Sequence, residues 1–214
     1  IDKGDYLPPR ADEITAALAA DPAITHVVVV HCETSSGILN PVEEISRATY
    51  AAGRKLLIDS MSAFGAVYID PAKVRFEAIV SSANKCIQGV PGFGFVVAHR
   101  PTLEGTAGWA RSLSLDLSDQ WREMEAGAGK WRYTSPTHIL LGFAQALQEL
   151  ADEGGIAARN RRYQENQSLL VQGMAELGFR TLIAREFQSP IITSFLYPEE
   201  TSFHWEAFYT EMKS

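Results

Sequence analysis

Three short polar clusters in this 214-residue chain carry residue types that do chemistry. His31, Glu33 and Thr34 follow one apolar run. Asp59, Ser60 and Ser62 follow a second, and Ser82, Asn84 and Lys85 follow a third. A lysine amine can condense with a carbonyl, and a carboxylate can keep a heteroaromatic nitrogen protonated. Together in one site they suggest pyridoxal phosphate (PLP). That cofactor attaches to a lysine and needs an acid against its pyridine nitrogen for the ring to act as an electron sink. Its phosphate and 3-hydroxyl also need hydrogen-bonding partners.

Each residue has a structural reading as well, and the residues alone leave both open. Asp59 can cap a turn at a strand end, and Lys85 can be solvated surface. Gly89, Gly92 and Gly94 can be ordinary turn chemistry. Thr134-Ser135-Pro136-Thr137 reads either as a plain helix start or, through its hydroxyls and free N–H groups, as an anion site. Cys86 and His138 read as packing residues, and Glu33 as orienting its own loop.

Elements of alternating type must position these clusters. Ala11 to Ala20 reads as a helix ended by Asp21-Pro22. The β-branched run Thr25 to Val30 reads as a strand buried on both faces of a parallel sheet. Asn40 is the candidate N-cap of a helix that has Pro41 in its first turn and stops at Gly53. Lys55 to Ile58, ending on Asp59, then Ala78 to Ser82 and Gly94 to Ala98, are three further strands. This alternation predicts an α/β fold with a mostly parallel sheet. In open sheets of that kind ligands bind beyond the carboxyl ends of the strands, where the three clusters would converge.

Residues 101–131 read as irregular. A helix from Thr137 to Asp152 comes next, with Ser135 as candidate N-cap and Pro136 as first helical residue. Gly154-Gly155 breaks it. A long helix over Ile156 to Leu177, strands at Phe179–Ile183 and Ile191–Tyr197, and a helix over Phe203 to Met212 complete the chain. The expected division is residues 1–154 as the central part of a large domain and 155–214 as the start of a smaller α+β domain.

Composition bounds the function classes. The chain is 46% hydrophobic and 21% charged, with a net charge of -7. That is ordinary globular composition, and the charge argues against a nucleic-acid partner. Two cysteines, Cys32 and Cys86, lack metal-ligand spacing and fit a reducing compartment, hence a cytoplasmic location. No apolar run approaches the ~20 residues of a membrane span. IDKGDYLPPR lacks both an initiator Met and the apolar stretch of a secretory signal. The expectation is a piece of a longer protein.

Four stretches resemble the class V aminotransferases of fold type I: HCETSSGILNPVEEI from His31, LLIDSMSAFGA from Leu56, SSANKCIQGVPGFGFV from Ser81 and KWRYTSPTH from Lys130. Cysteine desulfurases typically carry a His before the lysine, where this chain has Asn84. The run around Lys85 resembles the branch that moves an amino group from 2-aminoethylphosphonate to pyruvate, giving phosphonoacetaldehyde and alanine in phosphonate degradation. Enzymes using serine or alanine with glyoxylate or pyruvate share the spacing but differ around the lysine. They are the alternative, together with a non-catalytic fragment of such an enzyme.

By this resemblance Lys85 is the Schiff-base lysine and Asp59 the partner of the pyridine nitrogen. Met61 packs on the ring, Thr34 reaches the 3-hydroxyl, and Asn84 lies on the phosphate side. Thr134, with Trp131, reaches the phosphate of a neighbouring subunit, which implies a homodimer with shared active sites. The family's phosphate-binding loop and its carboxylate-binding arginine are expected outside these 214 residues.

Overall fold

The computed structural model describes residues 1–4, 6–198 and 203–213. The expected smaller unit, 155–214, therefore includes residues 199–202 and 214, which lie outside the described residues. Along the chain come α1 (Ala11–Ala20), β1 (His26–Val30), α2 (Val42–Ala51), β2 (Lys55–Asp59), β3 (Ala78–Ser82) and β4 (Gly94–Ala98). After them come α3 (Arg100–Glu104), α4 (Leu117–Ala126), α5 (Thr137–Asp152), α6 (Gly155–Glu176), a 3-10 turn (Arg185–Phe187) and α7 (Trp205–Glu211).

The four strands form one sheet in the order β1-β2-β3-β4. The pairs β1–β2 and β2–β3 are parallel and β3–β4 is antiparallel, so the mostly parallel α/β reading is borne out. Val29, Ile58 and Ile79 lie opposite one another in register and bury against Ile14 and Leu18 of α1 and Val42 and Ile45 of α2. Burying a side chain of this size contributes about 1.5–3 kcal/mol, so this layer fixes the sheet. The expectation of strands buried on both faces does not hold throughout. Val28 and Val80 are 69% and 39% exposed on the other face. There the cover is partial: Leu57, Ala78 and Val96 on that face line a groove with Pro101 and Leu103 of α3 and Leu117 of α4.

Five further local expectations are corrected. The two C-terminal strands do not form: one bridge, Thr181 to Phe195, joins them, flanked by Leu182 N–H to Ser194 O and Leu196 N–H to Arg180 O, both 2.8 Å. The chain turns away at Arg185–Phe187, and residues 187–189 bond instead to the loop after β1. Leu39 N–H donates to Phe187 O and Ser189 N–H to Gly37 O, each at 2.8 Å. Gly37 has φ +88°, and a β-carbon there would collide with the carbonyl of Ile192. Asn40 does not cap α2. Its amide turns back to Val30 O (2.8 Å) and the Glu33 carboxylate (3.1 Å), bracing the loop. Ser135 does not cap α5, and Pro136 stands just before that helix rather than inside it. The stretch read as irregular contains α3 and α4, the latter started by the Asp116 carboxylate accepting from Asp119 N–H at 3.0 Å. Among the described residues no helix is long and apolar enough to cross a membrane.

Candidate active site

The parallel register ends β1 at Val30 beside Asp59 and carries β3 on to Ser82, so three loops emerge at one edge of the sheet. Their floor is a buried polar chain. His31 N–H donates to Asp59 O at 2.7 Å, and His31 Nδ1 lies 3.0 Å from Ser60 Oγ. Ser81 Oγ donates to Ser60 O at 3.2 Å. Burial lowers the His31 pKa to about 4, so the imidazole is neutral near pH 7 and this floor carries no positive charge.

In the loop after β1, Glu33 accepts from Asn40 and holds its own turn, which is its structural reading. Thr34 is exposed on that turn. After β2, Asp59 is half-buried, and its Oδ1 accepts from Met61 N–H at 2.9 Å. Among the described residues no ion pair neutralises this carboxylate. Met61 is 36% exposed beside it.

The turn after β3 is rigid for reasons visible in its backbone. Gln88 N–H bonds Lys85 O and Gly89 N–H bonds Ala83 O, both at 2.8 Å. Gln88 takes φ +65°, and a β-carbon on residue 89 would stand 2.8 Å from Ala83 O, which is why glycine is required there. Cys86 and Ile87 point inward and are buried, Cys86 Sγ donating to Ser62 O at 3.1 Å. Burial raises the Cys86 thiol to about 11, which suits packing rather than nucleophilic chemistry. Asn84 and Lys85 are thereby turned outward and exposed. Among the described residues the Lys85 amine has no hydrogen bond or ion pair, so the turn presents a lysine with no neutralising partner. At the end of β3, Ser82 Oγ is buried without a partner.

The structure thus ties the loops of Thr34, of Asp59 and Met61, and of Asn84 and Lys85 together through His31, Ser60, Ser81 and Cys86. Among the described residues neither Thr134 nor Trp131 makes a hydrogen bond or ion pair with the Lys85 turn of the same chain. Thr134 is exposed and Trp131 half-buried just before α5. That helix does pack on the segment beyond the turn, through Phe143 against Phe93 at 5.1 Å and through Gly142 beside Val90. Sequence reading missed Arg159, Asn160 and Tyr163 of α6, which grip the Lys85 turn and the loop after β2. The only signal was helical spacing: positions 159, 160 and 163 share a face. The charged run ARNRRY reads more naturally as solvated surface.

A mostly parallel sheet with a carboxylate and an unpaired lysine on neighbouring carboxyl-end loops is the fold of known aminotransferases. The chain is similar to alanine–glyoxylate aminotransferase from Nostoc sp. (TM-score 0.87, 20% identity, 99% of this chain and 56% of that one). It is also similar to pyridoxamine-pyruvate aminotransferase from Mesorhizobium loti (TM-score 0.81, 23% identity, 91% and 50% of the two chains). At such identities the likeness concerns the fold.

The family model described as aminotransferase class-V matches residues 5–211, and the chain belongs to that family. It is 58% identical over 214 residues to the 2-aminoethylphosphonate–pyruvate transaminase of Rhizobium meliloti (strain 1021), covering 100% of this chain and 56% of that protein. It is 56% identical to the transaminase of the same name from Syntrophobacter fumaroxidans, covering 100% and 58%. The chain therefore spans just over half the length of these relatives.

Proposed function

We propose that the whole protein containing this chain transfers the amino group of 2-aminoethylphosphonate to pyruvate, using PLP. The observation that carries this reading is the identity above 50% to relatives of that name along the entire chain, against about 20% to solved aminotransferases named for other substrates. The residues present fit the cofactor by the chemistry of the donor set. An unpaired lysine, a carboxylate with no cationic partner, exposed Thr34 and Asn84, and the orphaned Ser82 hydroxyl lie on adjoining loops.

When bound, PLP supplies a carbonyl carbon that accepts the amino group and a ring that delocalises the electron pair left by a departing proton. Lys85 Nζ would hold the cofactor and, when free, would move the proton taken from the substrate carbon. The Asp59 carboxylate, oriented by Met61 N–H, would keep the pyridine nitrogen protonated. Met61 would pack on the ring, Thr34 would hold the 3-hydroxyl and Asn84 would serve the phosphate. The neutral His31 below leaves the charge balance to Asp59 and Lys85.

The test is an amino-donor profile of the whole protein with PLP. Alanine should form from pyruvate with 2-aminoethylphosphonate, and serine with pyruvate, or alanine with glyoxylate, should give at most a few per cent of that rate. Comparable or faster turnover of a carboxylate donor would move the protein to another branch of the family.

The same reading makes the working form a two-fold dimer in the cytoplasm, with Thr134 and Trp131 serving the neighbour's phosphate. The dimer is supported by the exposed Thr134, which makes no hydrogen bond to its own chain's Lys85 turn among the described residues, and the location by the free, buried Cys32 and Cys86. Mixing inactive whole-protein variants Lys85→Ala and Thr134→Glu should restore activity to at most about a quarter of wild type. Random pairing gives half mixed dimers, each with one intact site. No recovery after verified subunit exchange would assign Thr134 to its own chain or to no site.

A further inference from the structure

The turn that presents Lys85 ends in buried backbone carbonyls, and these need donors. α6 supplies them. Arg159, 2% exposed, donates from Nη1 to Cys86 O at 2.8 Å and to Ile87 O at 3.1 Å. Its Nε and Nη2 meet Glu153 Oε2 at 2.8 and 2.6 Å, and Arg162 grips the same carboxylate at 2.8 Å. Hydrogen bonds from Arg162 and Arg159 hold the Glu153 carboxyl down to about 2, so it stays charged across the working pH range. On the same helix face Asn160 Nδ2 donates to Ala66 O at 2.8 Å, and Tyr163 OH lies 3.3 Å from the Gln88 amide. Arg159 is thus a buried cation whose charge is met by one carboxylate and whose remaining donors are spent on two peptide carbonyls one and two residues past Lys85. A guanidinium can do this because its donors form a planar fork; an ammonium cannot reach all three acceptors. Glu153 and Arg159 also straddle the Gly154-Gly155 break between α5 and α6.

We infer that Arg159, oriented by Glu153, is a positioning residue for the cofactor lysine: it locks the turn that fixes where Lys85 stands relative to Asp59. This rests on the assignment of Lys85 as the cofactor lysine.

The test compares the whole protein with its Arg159→Lys and Glu153→Gln variants. Amide hydrogen exchange over residues 83–89 should accelerate about tenfold or more in the apo form of each variant, while exchange in β2 stays unchanged. With PLP bound, borohydride should still label Lys85, but the visible circular dichroism of the cofactor should fall to half or less, reporting a lysine held less rigidly. If Arg159→Lys loosens the whole fold, Glu153→Gln, which keeps the arginine, decides on the same two readouts. Unchanged exchange and dichroism with Lys85 labelled would overturn the positioning role alone. Absence of label on Lys85 in the unaltered protein would overturn the lysine assignment and this inference with it.

Discussion

Lys85→Ala in the whole protein is expected to lower transamination by on the order of 10⁴-fold, since it removes both the attachment point and the base that moves the proton. The structure makes this a clean test. Lys85 is exposed on a turn whose bonds, Gln88 N–H to Lys85 O and Gly89 N–H to Ala83 O, are backbone bonds that Ala preserves. Its side chain supports no ion pair among the described residues, so truncation leaves no buried partner behind and stability should change by less than ~0.5 kcal/mol. Steady-state rates and a urea melt on the same preparations separate the two effects. A variant that kept even a tenth of the wild-type rate would remove Lys85 from the chemistry.

Asp59→Ala should cost on the order of 10²- to 10³-fold in rate while retaining part of the cofactor. Asp59 closes the β1–β2 ladder beside Val30, and its backbone carbonyl, which receives His31 N–H, survives the substitution. What is lost is a carboxylate with one oxygen tied to Met61 N–H and, among the described residues, no ion-pair partner to neutralise it. Asp59→Asn should behave nearly as badly, because an amide can accept from Met61 but cannot hold a ring nitrogen cationic. Equal, near-wild-type rates for both would reduce Asp59 to a turn cap, the reading the sequence left open.

Much of the site was legible because its residues punctuate apolar runs. HVVVV, KLLID and AIVSS read as strands, and a polar cluster stands at the end of each. The register then places Asp59 and Lys85 on adjoining loops at the carboxyl ends of parallel strands, where open sheets bind ligands. The pairing of carboxylate and lysine suggested the cofactor, and the letters SSANKC narrowed the branch. Other features were set by contacts that no local pattern announces. The segments 179–183 and 191–197 have strand composition, but residues 187–189 find their partners in the loop at Gly37 to Leu39, so a ladder never extends. Asn40 has cap chemistry and spends it on Val30 O and Glu33. α4 hides among Gly and Trp residues, betrayed only by Asp116. Arg159 lies in a charged run yet is the most buried charged side chain among the described residues, because acceptors 72 and 73 residues earlier in the chain claim it.

Everything proposed for this chain turns on Lys85 as the cofactor lysine of a class V aminotransferase. Borohydride reduction of the whole protein with PLP, followed by proteolysis and peptide mass mapping, tests it directly. The expected product is a phosphopyridoxyl group on Lys85 in the peptide containing SSANKCIQG. A label on Lys55, Lys73 or Lys130 instead, or no label on any lysine, would contradict it.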